Sequence, residues 1–293
     1  MLTVLDAGPL TTVQDLGRPG LAHLGVPRSG ALDAVSAAAA NRLVGNEPAA
    51  AVLETAVGGC TVRFARAVTI AVTGAPCGVE VDGRAGPHGV ALTVAAGTTL
   101  RLGPATAGVR SYLAVTGGID VPPVLGSRST DLLSALGPAP LRRGDVLAVG
   151  TAAVGPPVGA DVPVLARLPG PEGVVVRVWP GPRADWFTDD AWQVLLGERW
   201  TVAGRSDRTA LGLARVGLDR PELARTVTGE LPSEGLVLGA VQVPTAGAPV
   251  IFLADHPVSG GYPVMAVVDP GDLGVLAQCA PGTRLRFRRS AYR

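Results

Sequence analysis

Short runs of apolar and β-branched residues, most of them closed by Gly, Pro or Asp, make up the greater part of the chain. VTIAVTG (68–74), GVEVDG (78–83), VALTVAAGTTLRLG (90–103), GVRSYLAVTGG (108–118), VVVRVWPG (174–181), PVIFLAD (249–255), YPVMAVV (262–268) and TRLRFRR (283–289) follow this pattern and predict strands. Three stretches carry helix signals instead. Asp33 is placed to cap AVSAAAANRLV before Gly45, Thr130 to cap DLLSAL before Gly137, and Thr188 to cap DDAWQVLL before Gly197. Forty glycines and 26 prolines in an apolar, non-repetitive chain fit a turn-rich β protein.

The pattern runs twice in the same order. A Gly-Pro turn opens each half (Gly8-Pro9 and Gly181-Pro182), and a Ser/Arg-rich loop follows (27–33 and 204–216). A strand then leads into a glycine pair and a proline (112–122 and 251–263). AAGTTLRLGP (95–104) in the first half is echoed by APGTRLRFRR (280–289) in the second. The Pro/Gly/Ala-rich segment 150–173 lies between them as a linker. The expectation is a mainly β protein with two tandem β-barrel-like domains, 1–155 and 156–293, and a few short helices.

Composition narrows the possible functions. With 293 residues and 47% hydrophobic content, the chain can bury a sizeable core. Its 25 basic and 24 acidic residues are scattered, which argues against a nucleic-acid or polybasic membrane surface. Cys60, Cys77 and Cys279 are too few and too widely spaced for a disulfide framework. No basic segment followed by an apolar run marks the start, and no apolar stretch approaches the ~18 residues of a spanning helix. A soluble, cytoplasmic protein is expected. All 25 basic residues are arginine, so the chain offers no lysine for a Schiff base, a Walker-type phosphate grip, or attachment of biotin or lipoate. Anions must be met by arginine, backbone N–H groups or another chain.

The three histidines, His23, His88 and His256, lack metal-ligand spacing, so no metal site is expected, and His88 reads as a solvated turn residue. Asp255, His256 and Ser259 have the residue types of a hydrolytic triad, but neighbours in one loop rarely reach that geometry. DHPVSGGYPV (255–264) reads better as a ligand loop, because Gly260 and Gly261 permit close backbone approach. In GGIDVPPVLGSRSTDLL (117–133), Arg128 is placed to clamp a carboxylate or phosphate. TVQDLGRPGLAHLGVPRSGALD (12–33) sets Gln14, Asp15, Arg18, His23, Arg28, Ser29 and Asp33 among four glycines and two prolines. Asp15 and Arg18 are expected to pair. Such a density of polar side chains on a fixed backbone suits a small polar ligand.

TVQDLGRPG, GVPRSGALD, ANRLVGN, YLAVTGGIDVPPVLGSRSTD and SEGLVLGAVQVPTAGAPVIFLADHPVSGGYPV, taken in order from about Thr3 to Phe287, resemble the KipA family. Its members also go by the C subunit of 5-oxoprolinase, allophanate hydrolase subunit 2 and biotin-dependent carboxyltransferase family protein. The resemblance implies two tandem cyclophilin-like β-barrel domains and, as partner, a KipI-like protein that forms the B component of the complex. With a further A component, it implies an ATP-dependent 5-oxoprolinase that opens the lactam of 5-oxo-L-proline to L-glutamate, ATP and Mg being bound by the complex. Two other readings follow from the same family. One is the acceptor-binding half of a urea-type, biotin-dependent carboxyltransferase, with biotin carried elsewhere because this chain has no lysine. The other is a non-enzymatic regulator that binds a kinase inhibitor. The residues expected to do the work are Asp15 or Asp255 as acid/base with His256. Gln14, Arg18, Arg28, Ser29, Arg128, Ser259, Gly260, Gly261 and Tyr262 are expected to bind substrate or phosphate. Activity of the chain alone is not expected.

Overall fold

A computed structural model describes residues 1–151, 155, 166–215 and 223–291, which fall into two compact units. The first comprises Met1–Pro19 and Ser29–Leu168, the second Gly20–Arg28 and Pro169–Arg293. The far side of the expected 155/156 boundary, and much of the expected linker 150–173, lie outside the described residues. Residues 20–28, expected in the first domain, cluster with the second.

The first unit contains strands β1 (Leu2–Asp6), β2 (Thr11–Gln14), β3 (Val52–Ala56), β4 (Thr61–Phe64), β5 (Val68–Gly74), β6 (Cys77–Val81), β7 (Arg84–Ala85), β8 (Leu92–Val94), β9 (Thr99–Ala105), β10 (Arg110–Val115) and β11 (Val146–Leu147). They form a six-stranded sheet in the order β11-β1-β4-β9-β6-β7 and a five-stranded sheet in the order β2-β3-β10-β5-β8. One face of each sheet feeds a common core that includes Leu2, Val62, Phe64, Leu53, Ile70 and Leu113. The alternate residues Ala71, Tyr112 and Ala114 pack with Ala37, Ala40 and Leu43 of helix α1 (Ala34–Leu43). β5 and β10 are thus buried on both faces, and a strand so placed reads as a continuous apolar run. Asp33 caps α1 as expected: its Oδ1 accepts from the Ser36 N–H at 3.0 Å and its Oδ2 from the Ser36 hydroxyl at 2.6 Å.

The second unit contains β12 (Val174–Pro180), β13 (Trp200–Ser206), β14 (Ala210–Arg215), β15 (Glu234–Gly235), β16 (Ala240–Gln242), β17 (Val250–Phe252), β18 (Ser259–Gly260), β19 (Val264–Val268) and β20 (Arg284–Arg289). Seven of these close a barrel in the order β12-β19-β16-β17-β14-β13-β20, and β15 and β18 form a separate two-stranded ribbon. Helix α2 (Asp189–Gly197) starts at Thr188, whose hydroxyl accepts from the Ala191 N–H at 3.1 Å, and α3 is Leu273–Ala277. The protein is mainly β with a few short helices. The second unit is a closed barrel, whereas the ladders of the first form two sheets.

The helix expected after Thr130 does not form. Residues 131–136 make a turn in which Asp131 Oδ1 accepts from the Leu133 and Ser134 N–H groups at 2.9 and 3.0 Å, so the cap is Asp131. Leu132 and Leu133 are 37% and 50% exposed, and so short a segment with little apolar burial cannot offset helix nucleation. No helix among the described residues is long and apolar enough to cross a membrane.

Candidate functional site

In the first unit, the opening stretch is bound to residues 124–131. Asp15, at the end of β2, accepts four hydrogen bonds. Its Oδ1 takes them from Ser127 Oγ (2.6 Å), Ser129 Oγ (2.6 Å) and the Gly17 N–H (2.7 Å), and its Oδ2 from the Arg128 N–H (2.6 Å). Three of these bonds fall on Oδ1 and one on Oδ2, so the carboxylate is anchored chiefly through Oδ1. This corrects one expectation: Asp15 is not paired with Arg18. It anchors two loops. Gly30, with φ of +99°, lets its segment lie against Leu16–Gly17, where a Cβ would sit 2.8 Å from the Gly17 nitrogen.

Around that anchor stand several residues singled out from the sequence. Gln14 is fully buried and donates through Nε2 to the Thr130 carbonyl at 3.0 Å and to Thr12 Oγ1 at 3.1 Å. Ser29 donates to the same Thr130 carbonyl at 2.9 Å. Arg18 is 2% exposed and donates from Nη2 to the Ser129 carbonyl at 2.6 Å and from Nε to the Val124 carbonyl at 3.4 Å. Arg128 extends outward, held by Asp120 at 3.0 Å, and lines a cavity of about 320 Å³ with Gly117, Gly118 and Ile119. Arg28, by contrast, is exposed, clusters with the second unit, and has no hydrogen bond or ion pair among the described residues.

In the second unit, Asp255 and Arg208 form a buried bidentate ion pair, Nε to Oδ2 at 2.9 Å and Nη2 to Oδ1 at 3.0 Å. Asp255 is therefore spent on Arg208 rather than poised as an acid or base. His256 is buried, and its Nδ1 lies 2.7 Å from the Pro257 carbonyl, to which it must be the donor. Neither residue is arranged as part of a triad with Ser259, which is exposed on β18. Ser259 and Gly260 pair with Gly235 and Glu234 of β15. A Cβ on Gly260 would lie 2.9 Å from the end of the Leu236 side chain.

Gly261 and Tyr262 line a cavity of about 530 Å³ that sequence reasoning did not find. Its other walls include Trp186, Arg225, Glu230 and Thr245. These come from separate stretches of the chain, so no local motif marks them. Arg225 donates to the Val243 carbonyl and has no carboxylate partner among the described residues. Elsewhere in this unit, Arg183 ion-pairs with Glu234, and its hydrogen bonds hold the Glu234 carboxyl below the usual range.

His88 is half-buried rather than solvated, and burial pushes its pKa down. Among the described residues no group of three His, Cys, Asp or Glu could hold a metal ion.

Residues 24–289 match the carboxyltransferase domain family, subdomains A and B. The chain is 38% identical over 290 residues to the 5-oxoprolinase C subunit of Escherichia coli (strain K12), a match covering 98% of this chain and 90% of that protein. Its fold is similar to the crystal structure of TTHA0988, with a TM-score of 0.84 and 39% identity over 98% of this chain and 55% of that one. It is also similar to the K. lactis urea amidolyase, with a TM-score of 0.91 and 30% identity over 99% of this chain but 19% of that chain. This chain therefore spans little more than half of the first solved chain and about a fifth of the second.

Proposed function

The chain belongs to the carboxyltransferase domain family, subdomains A and B, and from that membership we propose that it is the C subunit of an ATP-dependent 5-oxoprolinase. It would act with a KipI-like B component and an A component, in the cytoplasm, to open the lactam of 5-oxo-L-proline to L-glutamate. The observation that carries this reading is the near full-length match, in both directions, to a protein of that name.

The geometry supports a binding role within a complex. Gln14, Arg18, Ser29 and Arg128 would face the substrate, while Asp15 and Asp255 hold the loops that present these residues and the Ser259–Tyr262 segment. Arg225 would hold an anionic group in the cavity walled by Trp186 and Tyr262. This chain has no lysine to grip a phosphate, and among the described residues no group of three His, Cys, Asp or Glu could hold a metal ion. ATP and its magnesium ion are assigned to the complex, and no step on this chain is routed through them.

The likeness to urea amidolyase favours a second reading, the acceptor-binding half of a urea-type carboxyltransferase with biotin on another domain. Assaying glutamate release and ADP formation with this chain alone, with the B component added, and with both the A and B components added separates the two. Turnover is expected only with all three proteins. Robust release by this chain alone would overturn the subunit reading, and inactivity of the full set would put the urea-type reading first.

A further inference from the structure

The walls of the cavity of about 530 Å³ in the second unit are fixed by separate backbone ties. Trp186 closes a short 3-10 turn, Ala184–Trp186, and its carbonyl accepts from the Thr226 N–H at 2.8 Å. The Thr188 N–H donates to the Ala224 carbonyl at 3.1 Å, so Arg225 lies between two anchored neighbours. Its Nη2 donates to the Val243 carbonyl, which holds the guanidinium in place. On a second wall, Gln242 Nε2 donates to the Tyr262 carbonyl at 2.8 Å, and the Val243 N–H to the Pro263 carbonyl at 3.1 Å. A Cβ on Gly261 would lie 3.3 Å from the Leu231 oxygen, so these two stretches of wall run side by side.

Among the described residues that line this cavity two are charged, Arg225 and Glu230, and their signs are opposite. Neither belongs to an ion pair among the described residues, so they do not close on each other. Arg183 and Glu234, which do pair with each other, are not among the lining residues. A ligand with a carboxylate alone would satisfy Arg225 and meet Glu230 with a like charge, and a cation would do the reverse. A ligand carrying both a carboxylate and an ammonium answers both. Trp186, Leu231, Tyr262 and Pro263 supply apolar surface between them, which suits an apolar side chain oriented by its charged end. We propose that this cavity binds a small zwitterion with an apolar side chain, an α-amino acid or a short peptide. Arg225 receives its carboxylate, Glu230 its ammonium, and Trp186, Leu231 and Tyr262 its side chain.

This ligand is distinct from the lactam of the functional reading, and the inference does not rest on that reading. The nitrogen of 5-oxo-L-proline is an uncharged amide, so its carboxylate meets Arg225 and nothing answers Glu230. L-Glutamate has both main-chain charges but brings a third, its side-chain carboxylate, against apolar walls, where it loses hydration without a partner. The site is also large enough for more than one residue, since cavities of about 300–1,000 Å³ hold ligands well beyond the size of a single amino acid.

The experiment titrates the full-length chain by calorimetry with L-phenylalanine and glycyl-L-phenylalanine, which distinguish the free amino acid from a peptide. The controls are 3-phenylpropionate, phenethylamine, L-glutamate and 5-oxo-L-proline. At least one of the two zwitterions is expected to bind saturably, and each control at least about tenfold more weakly. Glu230→Gln alters an exposed side chain without a partner, so Tm should not move. It should weaken the zwitterion by about tenfold to a hundredfold and leave 3-phenylpropionate unchanged. Arg225→Gln should weaken the zwitterion to a similar degree and leave phenethylamine unchanged. If loss of its tie to the Val243 carbonyl lowers Tm, Glu230→Gln decides the matter alone. Wild-type affinity in Glu230→Gln overturns the proposal, as does the absence of saturable binding by either zwitterion. Binding of 3-phenylpropionate or 5-oxo-L-proline as tight as that of the zwitterion also overturns it and leaves a plain carboxylate site. Tighter binding of L-glutamate than of L-phenylalanine overturns the apolar side chain. None of these outcomes bears on lactam opening by the assembled complex, so the two readings fail separately.

Discussion

Replacing Asp255 by alanine tests whether its charge serves the fold or the chemistry. Asp255 is 0% exposed and Arg208 1%, and two charge-assisted bonds of 2.9 and 3.0 Å join them. The backbone ties the same loops together, with the Asp255 N–H donating to the Arg208 carbonyl at 3.1 Å. Truncating one member of a buried pair leaves the other charge desolvated and costs about 3–5 kcal/mol. For a chain of this size each kcal/mol lowers Tm by about 2–4 °C, so a fall of about 6–20 °C is expected. The double replacement Arg208→Met with Asp255→Leu removes both charges and their desolvation penalty, and should recover most of that loss. Thermal and urea denaturation of the two single variants and the double variant give the coupling, and turnover of the assembled complex is read beside them. A structural pair predicts that the double variant regains activity along with stability. A stable but inactive double variant, or a single variant within about 1 kcal/mol of wild type, would refute the reasoning.

Asp15→Asn should cost about 1.5–3 kcal/mol in urea denaturation, because an amide nitrogen must then meet a donor now bonded to the carboxylate. A loss of kcat with stability intact would instead make Asp15 a proton carrier. His88, its folded pKa held below the ordinary value by burial, contributes stability that is present above pH ~6.5 and is lost as pH falls through the folded pKa. Tm of the wild type should drop across that interval more steeply than Tm of His88→Gln. Burial pushes the Cys60 thiol up to about 12, and Cys279 is buried as well, so native protein at pH 8 should be alkylated first at the half-buried Cys77. Early labelling of Cys60 would contradict the packing of the first unit.

Strands with an apolar face were legible in the sequence, and strands whose buried positions are polar were not. VTIAVTG stands out because β5 lies between the core and α1. TTVQ does not, although all four residues of β2 are buried. Thr11 and Gln14 are accommodated there by hydrogen bonds to the Ala7 and Thr130 carbonyls, which hydropathy cannot register. The same holds for VLETA, where Glu54 is buried because its carboxylate accepts from the Leu32 N–H at 3.0 Å and faces Arg110.

The site was legible as segments, but not as pairings. Polar side chains crowded onto a glycine- and proline-shaped backbone drew attention to 12–33 and 117–133, and the structure joins parts of the two by hydrogen bonds. The local guess that Asp15 pairs with Arg18 failed for a physical reason. Ser127, Ser129 and the Arg128 N–H present three donors already fixed by a loop, and Gly17 adds a fourth. Together they satisfy the carboxylate at less entropic cost than one long, mobile guanidinium. Nothing within a few residues of Asp15 in the sequence reveals partners more than a hundred positions away. The consequence falls on Arg18, whose charge is buried without the counter-ion its sequence neighbour could have provided. That displacement replaces the expected local ion pair with a buried guanidinium held by the Ser129 and Val124 carbonyls, an arrangement set by the fold and invisible in the motif.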